Sequence, residues 1–175
     1  VLVATFAGPM DRPGPSPSSS KIFFPLMPLE PGQPAPDFAA PDQDGNLVQL
    51  QDFRGQRVAL YFYPKDDTPG CTAQACNLRD HRDELLAQNI QVIGVSVDGE
   101  ASHQKFALKY ELPFPLLADP DKKIVEAYGV WQEKKNYGKT YMGTVRTTFL
   151  IDAAGIIEKI IKRPDTKEHA AQLLK

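Results

Sequence analysis

At 175 residues the chain is long enough for one domain with a substantial core and short for two. Its formal net charge of −2 argues against nucleic acid or an anionic membrane surface as a partner. No apolar stretch approaches the ~18 residues that a membrane span requires.

The first 26 residues differ from the rest. They carry Pro9, Pro13, Pro15, Pro17 and Pro25 and a serine run from Ser18 to Ser20, a composition that resists helix and strand. They lack the basic region and continuous apolar core of a signal peptide. The expectation is a non-native or disordered-type leader over 1–26, left by expression or upstream translation, followed by one domain over 27–175.

Within that domain, Phe38 to Ala40 and Leu47 to Gln51 flank Asp44-Gly45, a hairpin signal. The apolar, aromatic run over 57–63 reads as a buried strand, ended by Pro64. A helix is predicted over about 70–88, a strand over 91–97, a helix over 101–110 and a strand near 115–118. A short helix near 121–128, a strand over 146–152, a turn at 153–155, a strand over 156–161 and a helix over 166–174 complete the chain. Strands alternating with helices predict an α/β fold with a partly parallel sheet covered on both faces.

The only cysteines, Cys71 and Cys76, lie five residues apart in the first of those helices. With no second cysteine pair and three scattered histidines, His81, His103 and His169, they do not make a metal site. Nor are they a C-x-x-C motif. On an ideal helix their Cα atoms would be roughly 8.7 Å apart, beyond the ~6.8 Å that a disulfide tolerates. A bond between them therefore requires the helix to unwind. Two inert buried cysteines are the alternative reading.

Upstream, Thr68 can cap the helix, Pro69 suits its first position and Gly70 permits close backbone approach. Cys71 then sits in the first turn, where free amides and the helix dipole favour a thiolate. Thiolate formation alone explains little. For a thiol moved from about 8.5 to about 6, the gain in thiolate fraction is largely offset by lower nucleophilicity, leaving roughly two- to threefold. Strong catalysis needs donors to the transition state, each worth about 2.7–4 kcal/mol. Thr68 supplies a hydroxyl. Arg146, opening the apolar run from Thr147 to Ile151, is the best candidate cation, although spacing alone favours reading it as an exposed strand end.

These residues resemble the peroxiredoxins, and within them the Q type, also called bacterioferritin comigratory protein. Pro64, Thr68 and Cys71 match the P-x-x-x-T-x-x-C pattern, and Cys76 matches the Q-type spacing. The likeness runs from about Met27 to the end, through Pro34 to Phe38, Asp42 to Gly45, Phe53 to Arg57, Tyr128 to Trp131 and Arg146 to Asp152. It implies a thioredoxin-like fold, with a central mixed β-sheet flanked by helices and an N-terminal β-hairpin extension. It further implies that Cys71 is the peroxidatic cysteine and Cys76 the resolving one. Thr68, Arg146 and the Cys71 amide would hold the peroxide oxygens, and Pro64 would shield the thiolate. Gln74 falls where many peroxiredoxins carry glutamate.

The implied activity is reduction of hydrogen peroxide and organic hydroperoxides through a sulfenic acid and an intramolecular disulfide, with thioredoxin as reductant and no cofactor or metal. The family also implies a monomer. With no cysteines placed to staple distant segments, bacterial cytoplasm is the expected location. A thioredoxin-type thiol–disulfide oxidoreductase and a redox-dependent chaperone or binding module are the rival readings.

The remaining candidates read as structural. His81 is expected to be solvated, and His103 and His169 to sit in polar helical surroundings. Trp131 is expected to pack the core or a pocket edge. Glu133 to Lys139 is read as a solvated loop, and Asp66-Asp67 as a turn cap that opposes a nearby thiolate.

Overall fold

The computed structural model describes residues 28–175, and the reading of 1–26 as a leader lies outside them. Two short strands, β1 (Ala39–Pro41) and β2 (Leu47–Gln49), form an antiparallel hairpin around the predicted Asp44-Gly45 turn. The central strand β3 (Arg57–Phe62) pairs in parallel with β4 (Ile90–Ser96), which pairs in parallel with β5 (Leu116–Ala118). On its other side β3 runs antiparallel to β8 (Thr147–Ile151), which pairs antiparallel with β9 (Ile157–Lys162). The sheet order is β5-β4-β3-β8-β9.

Alternation along β3 divides the core. Val58, Leu60 and Phe62 point to one face, where they meet Ile93, Val95, Phe149 and the hairpin residues Phe38 and Val48. Ile124 and Val125 of α4 (Lys123–Ala127) cover the same side. Ala59 and Tyr61 point to the opposite face, beneath α1 (Pro69–Asp80), α2 (Arg82–Ala87), α3 (Glu100–Tyr110) and α5 (His169–Leu174). With both faces covered, β3 is apolar from Val58 through Phe62 instead of alternating. Gly94 in β4 makes room for Tyr61: a Cβ there would come within 2.9 Å of the phenol oxygen and 2.8 Å of Leu116.

Two regions differ from the predicted elements. The helix over 70–88 is broken at His81, whose backbone (φ −106°, ψ 17°) leaves helical geometry. The Asn77 carbonyl takes the His81 amide at 3.2 Å and lies 2.9 Å from His81 Nδ1. A cluster of poor helix formers, Asn77, Asp80 and His81, thus ends one helix and opens the next. The second difference is at Glu133 to Lys139. Instead of a loop, β6 (Trp131–Asn136) and β7 (Lys139–Thr144) form an antiparallel hairpin turned at Tyr137 and Gly138, both with positive φ. The Val145 amide donates to the Val130 carbonyl at 2.8 Å, so the ladder reaches the residue preceding Arg146. Trp131 packs against the core, as expected.

Candidate active site

The turn between β3 and α1 carries Pro64 and Thr68, and α1 carries Cys71, Gln74 and Cys76. Pro69 occupies the start of the helix and has no N–H to satisfy. The first backbone bond of the α type is from the Thr72 amide to the Thr68 carbonyl, at 2.8 Å. Thr68 stands at the N-cap position, but its side chain makes no capping bond. Its hydroxyl donates to the Lys65 carbonyl at 3.0 Å, which corrects the expected cap. The amides of Gly70 and Cys71 therefore face outward at the helix tip, where an anion is favoured.

Cys71 is buried and Cys76 is half-buried, and both are free thiols. Arg146 enters from the segment between β7 and β8. Its Nη2 lies 3.1 Å from Cys71 Sγ, and its Nη1 donates to Gln74 Oε1. Gln74 has no exposed surface, and its Nε2 finds no partner among the described residues. Glutamine here accepts the guanidinium hydrogen bond through a neutral amide oxygen and adds no carboxylate charge beside Arg146. Gly70 leaves room beside the guanidinium, since a Cβ there would make a tight contact 3.3 Å from Arg146 Nη2.

The acidic pair in the turn is deployed away from the sulfur. Asp67, at φ 55°, takes hydrogen bonds from Lys109 Nζ and the Tyr110 hydroxyl, both at 2.8 Å. The Lys109 bond, and then the Tyr110 bond, hold its carboxyl below the usual range. Asp66 is buried and takes the Tyr63 hydroxyl at 2.6 Å and the Ser102 hydroxyl at 2.8 Å. Burial, followed by the neighbouring Tyr61 and Asp66, raises the Tyr63 phenol well above its ordinary value and keeps it a donor.

The histidines also depart from the sequence reading. His103 and His169 have no exposed surface, in place of the polar helical surroundings expected. His103 lies 2.6 Å from Asp66. His169 lies 2.8 Å from the Thr148 hydroxyl and 2.9 Å from Gln172 Oε1. The His103 position was detectable: His103, Phe106, Ala107 and Tyr110 follow the i, i+3, i+4, i+7 stripe of a core-facing helix side. No cluster of residues suited to hold a metal ion occurs among the described residues.

A thioredoxin-like sheet that aims an arginine-paired cysteine out of a helix tip defines a thiol-dependent redox enzyme of the peroxiredoxin class. Residues 31–160 match the AhpC/TSA family. The chain is 51% identical over 144 residues to Peroxiredoxin Bcp of Escherichia coli (strain K12), covering 82% of this chain and 92% of that one. It is 46% identical over 148 residues to Peroxiredoxin Bcp of Bacillus subtilis (strain 168), covering 85% and 94%. Among solved structures it matches a PrxQ mutant of Xylella fastidiosa with TM-score 0.79 and 29% identity, covering 85% and 94%. It matches peroxiredoxin Q of Xanthomonas campestris with TM-score 0.74 and 32% identity, covering 78% and 87%. The chain belongs to the AhpC/TSA family, among the peroxiredoxins of the Q or Bcp type.

Proposed function

We propose that the protein reduces hydrogen peroxide and organic hydroperoxides by a two-cysteine cycle within one chain. The observation that carries this reading is the guanidinium nitrogen of Arg146 lying 3.1 Å from the Cys71 sulfur at an uncapped helix tip. The Cys71 thiolate attacks the terminal oxygen of the hydroperoxide and the O–O bond breaks. One oxygen stays on sulfur as the sulfenic acid, and the other leaves, with a proton, as water or alcohol.

Arg146 and the Cys71 amide stabilise the charge that moves onto the departing oxygen. Thr68, whose own hydrogen is given to Lys65, retains lone pairs that accept the hydrogen of the peroxide. Pro64, half-buried beside this turn, keeps water from the sulfur. Organic hydroperoxides are included because a solved relative, the Xanthomonas campestris bacterioferritin comigratory protein, is described in connection with alkyl peroxide reduction activity.

The Cys76 thiol then displaces hydroxide from the sulfenic sulfur, which leaves with a proton as water and forms the Cys71–Cys76 disulfide. Because both residues lie within α1, this step requires the helix to unwind between them. Thiol–disulfide exchange with a dithiol restores the starting state. Thioredoxin, a monomeric enzyme and a reducing cytoplasmic setting complete the proposal.

Cys71→Ser is expected to abolish peroxide consumption. Cys76→Ser is expected to retain the first oxidation and lose recycling, as followed by rapid mixing with peroxide and by steady-state turnover with a dithiol. Full reaction in Cys71→Ser would reject the scheme.

A further inference from the structure

The turn that carries Pro64 and Thr68 is anchored by a buried polar network centred on Asp66. His103 Nε2 lies 2.9 Å from the Leu117 carbonyl, which can only accept, so that nitrogen carries a hydrogen. His103 Nδ1 lies 2.6 Å from Asp66 Oδ2, which requires one more proton within that link. Whether ring or carboxyl holds it, the two residues are joined. Asp66 Oδ1 also accepts from Tyr63, and its Oδ2 from Ser102. Its own amide donates to Asp98 Oδ2 at 2.9 Å, which takes the Ser96 hydroxyl at 2.8 Å.

Asp66 is therefore tied to the ends of β3 and β4, to α3 and, through the imidazole, to β5. It stands midway between Pro64 and Thr68. The next residue, Asp67, holds a left-handed backbone and is fastened to Lys109 and Tyr110, also on α3. A buried, fully hydrogen-bonded polar pair adds little stability over an apolar filling, and its use here is to fix a geometry.

We infer that His103, acting through Asp66, is a positioning residue for the peroxide step. The pair fixes Pro64 and Thr68 against Cys71 and keeps them there while α1 unwinds. The inference rests on the proposed roles of Cys71, Thr68 and Pro64, and adds to them a residue 32 positions away in sequence from Cys71.

The test compares wild type with Asp66→Ala, His103→Ala, the double variant and Asp66→Asn, measuring the peroxide step and disulfide closure separately by rapid quench and mass spectrometry. Each alanine variant should slow the peroxide step by about ten- to a hundredfold. The double variant should be no slower than the slower single, because His103 acts only through Asp66. Asp66→Asn should recover most of the rate, since its amide oxygen accepts from Tyr63 in place of Oδ1 and its two N–H groups, in place of Oδ2, donate to a neutral imidazole and to the Ser102 hydroxyl oxygen.

An unchanged peroxide step in folded Asp66→Ala, even with a lowered melting temperature, would overturn the inference. So would losses that multiply in the double variant, or Asp66→Asn as slow as Asp66→Ala. If the alanine variants do not fold, Ser102→Ala removes one donor to Asp66 from a half-buried site, and a several-fold slower peroxide step is expected. No change there counts against the proposal. Reaction of peroxide with Cys71→Ser would instead reject the underlying function, so the two failures are distinguishable.

Discussion

The chain on either side of Cys71 is held by different partners. Ahead of it, the segment from Pro64 to Thr68 is fastened by hydrogen bonds from Asp66 and Asp67 to other elements. Behind it, the first turns of α1 bury Cys71, Gln74 and Ala75 before Leu78, and their side chains are tied to Arg146, whose Nη1 donates to Gln74 Oε1 and whose Nη2 lies 3.1 Å from Cys71 Sγ. Lifting these turns costs about 0.8 kcal/mol for the buried Ala75 methyl and about 1.5–3 kcal/mol for the hydrogen bond from Arg146 to Gln74. The contrast matches the two steps of the proposed cycle: in it, the segment fastened to several elements shapes the peroxide site, and the helix tied at its start to Arg146 supplies the movement that brings Cys76 to Cys71. Farther along, Leu78 is buried and Asn77 Oδ1 accepts the Ala170 amide at 2.8 Å, which limits unwinding to the part before them.

The largest effect on the fixed side is expected from Arg146→Ala. Losing a donor aimed at the departing oxygen should slow the peroxide step roughly a hundred- to a thousandfold, with closure of an already formed sulfenic acid much less affected. Stopped-flow rates at several peroxide concentrations separate the two. Gly70→Ala probes the same approach more gently, because the added methyl meets Arg146 Nη2 at 3.3 Å. A several-fold loss in the peroxide step is expected, with little change in melting temperature.

Asn77→Ala acts on the mobile side. It removes the acceptor for the Ala170 amide, so stability should fall by about 0.5–1.5 kcal/mol. Closure of the disulfide should become faster and the peroxide step should hold. Denaturant melts and rapid quench measure these together. Slower closure would break the comparison, since the helix would then depend on that bond for a productive path.

The smallest effect concerns pH. Burial lowers the pKa of His169, outweighing its hydrogen bond to Gln172. The unfolded chain then binds a proton near the ordinary histidine value of about 6.5 while the folded chain does not. This contribution is complete above that value and is lost as pH falls below it, down to the lowered folded pKa, with a slope of at most about 1.4 kcal/mol per pH unit. Melts of wild type and His169→Gln between neutral and mildly acidic pH should differ in this slope, the variant being flatter.

Much of this site is legible in the sequence because its chemistry is local. Pro64, Thr68, Cys71 and Cys76 fall within one turn and helix, and the β-branched and apolar run after Arg146 marks a central strand. What eluded sequence reasoning depends on tertiary partners or lacks a pattern. The hairpin of β6 and β7 is mostly exposed, so it has no apolar alternation, and its turn places Tyr137, an unusual residue for that backbone, at φ 50°. Asp66 and His103 are 37 positions apart, and nothing near either residue announces the other. The Thr68 hydroxyl had two acceptable uses, capping α1 or bonding Lys65, and only the turn's three-dimensional course selects the second.

The central claim is that the Cys71 sulfur takes an oxygen and then bonds Cys76 as α1 loosens. The most direct measurement is mass spectrometry of the reduced protein after one equivalent of hydroperoxide. The expected result is a monomer lighter by two hydrogens, with a peptide link between Cys71 and Cys76. A product carrying oxygen on Cys76, or a link joining two chains, would contradict the account.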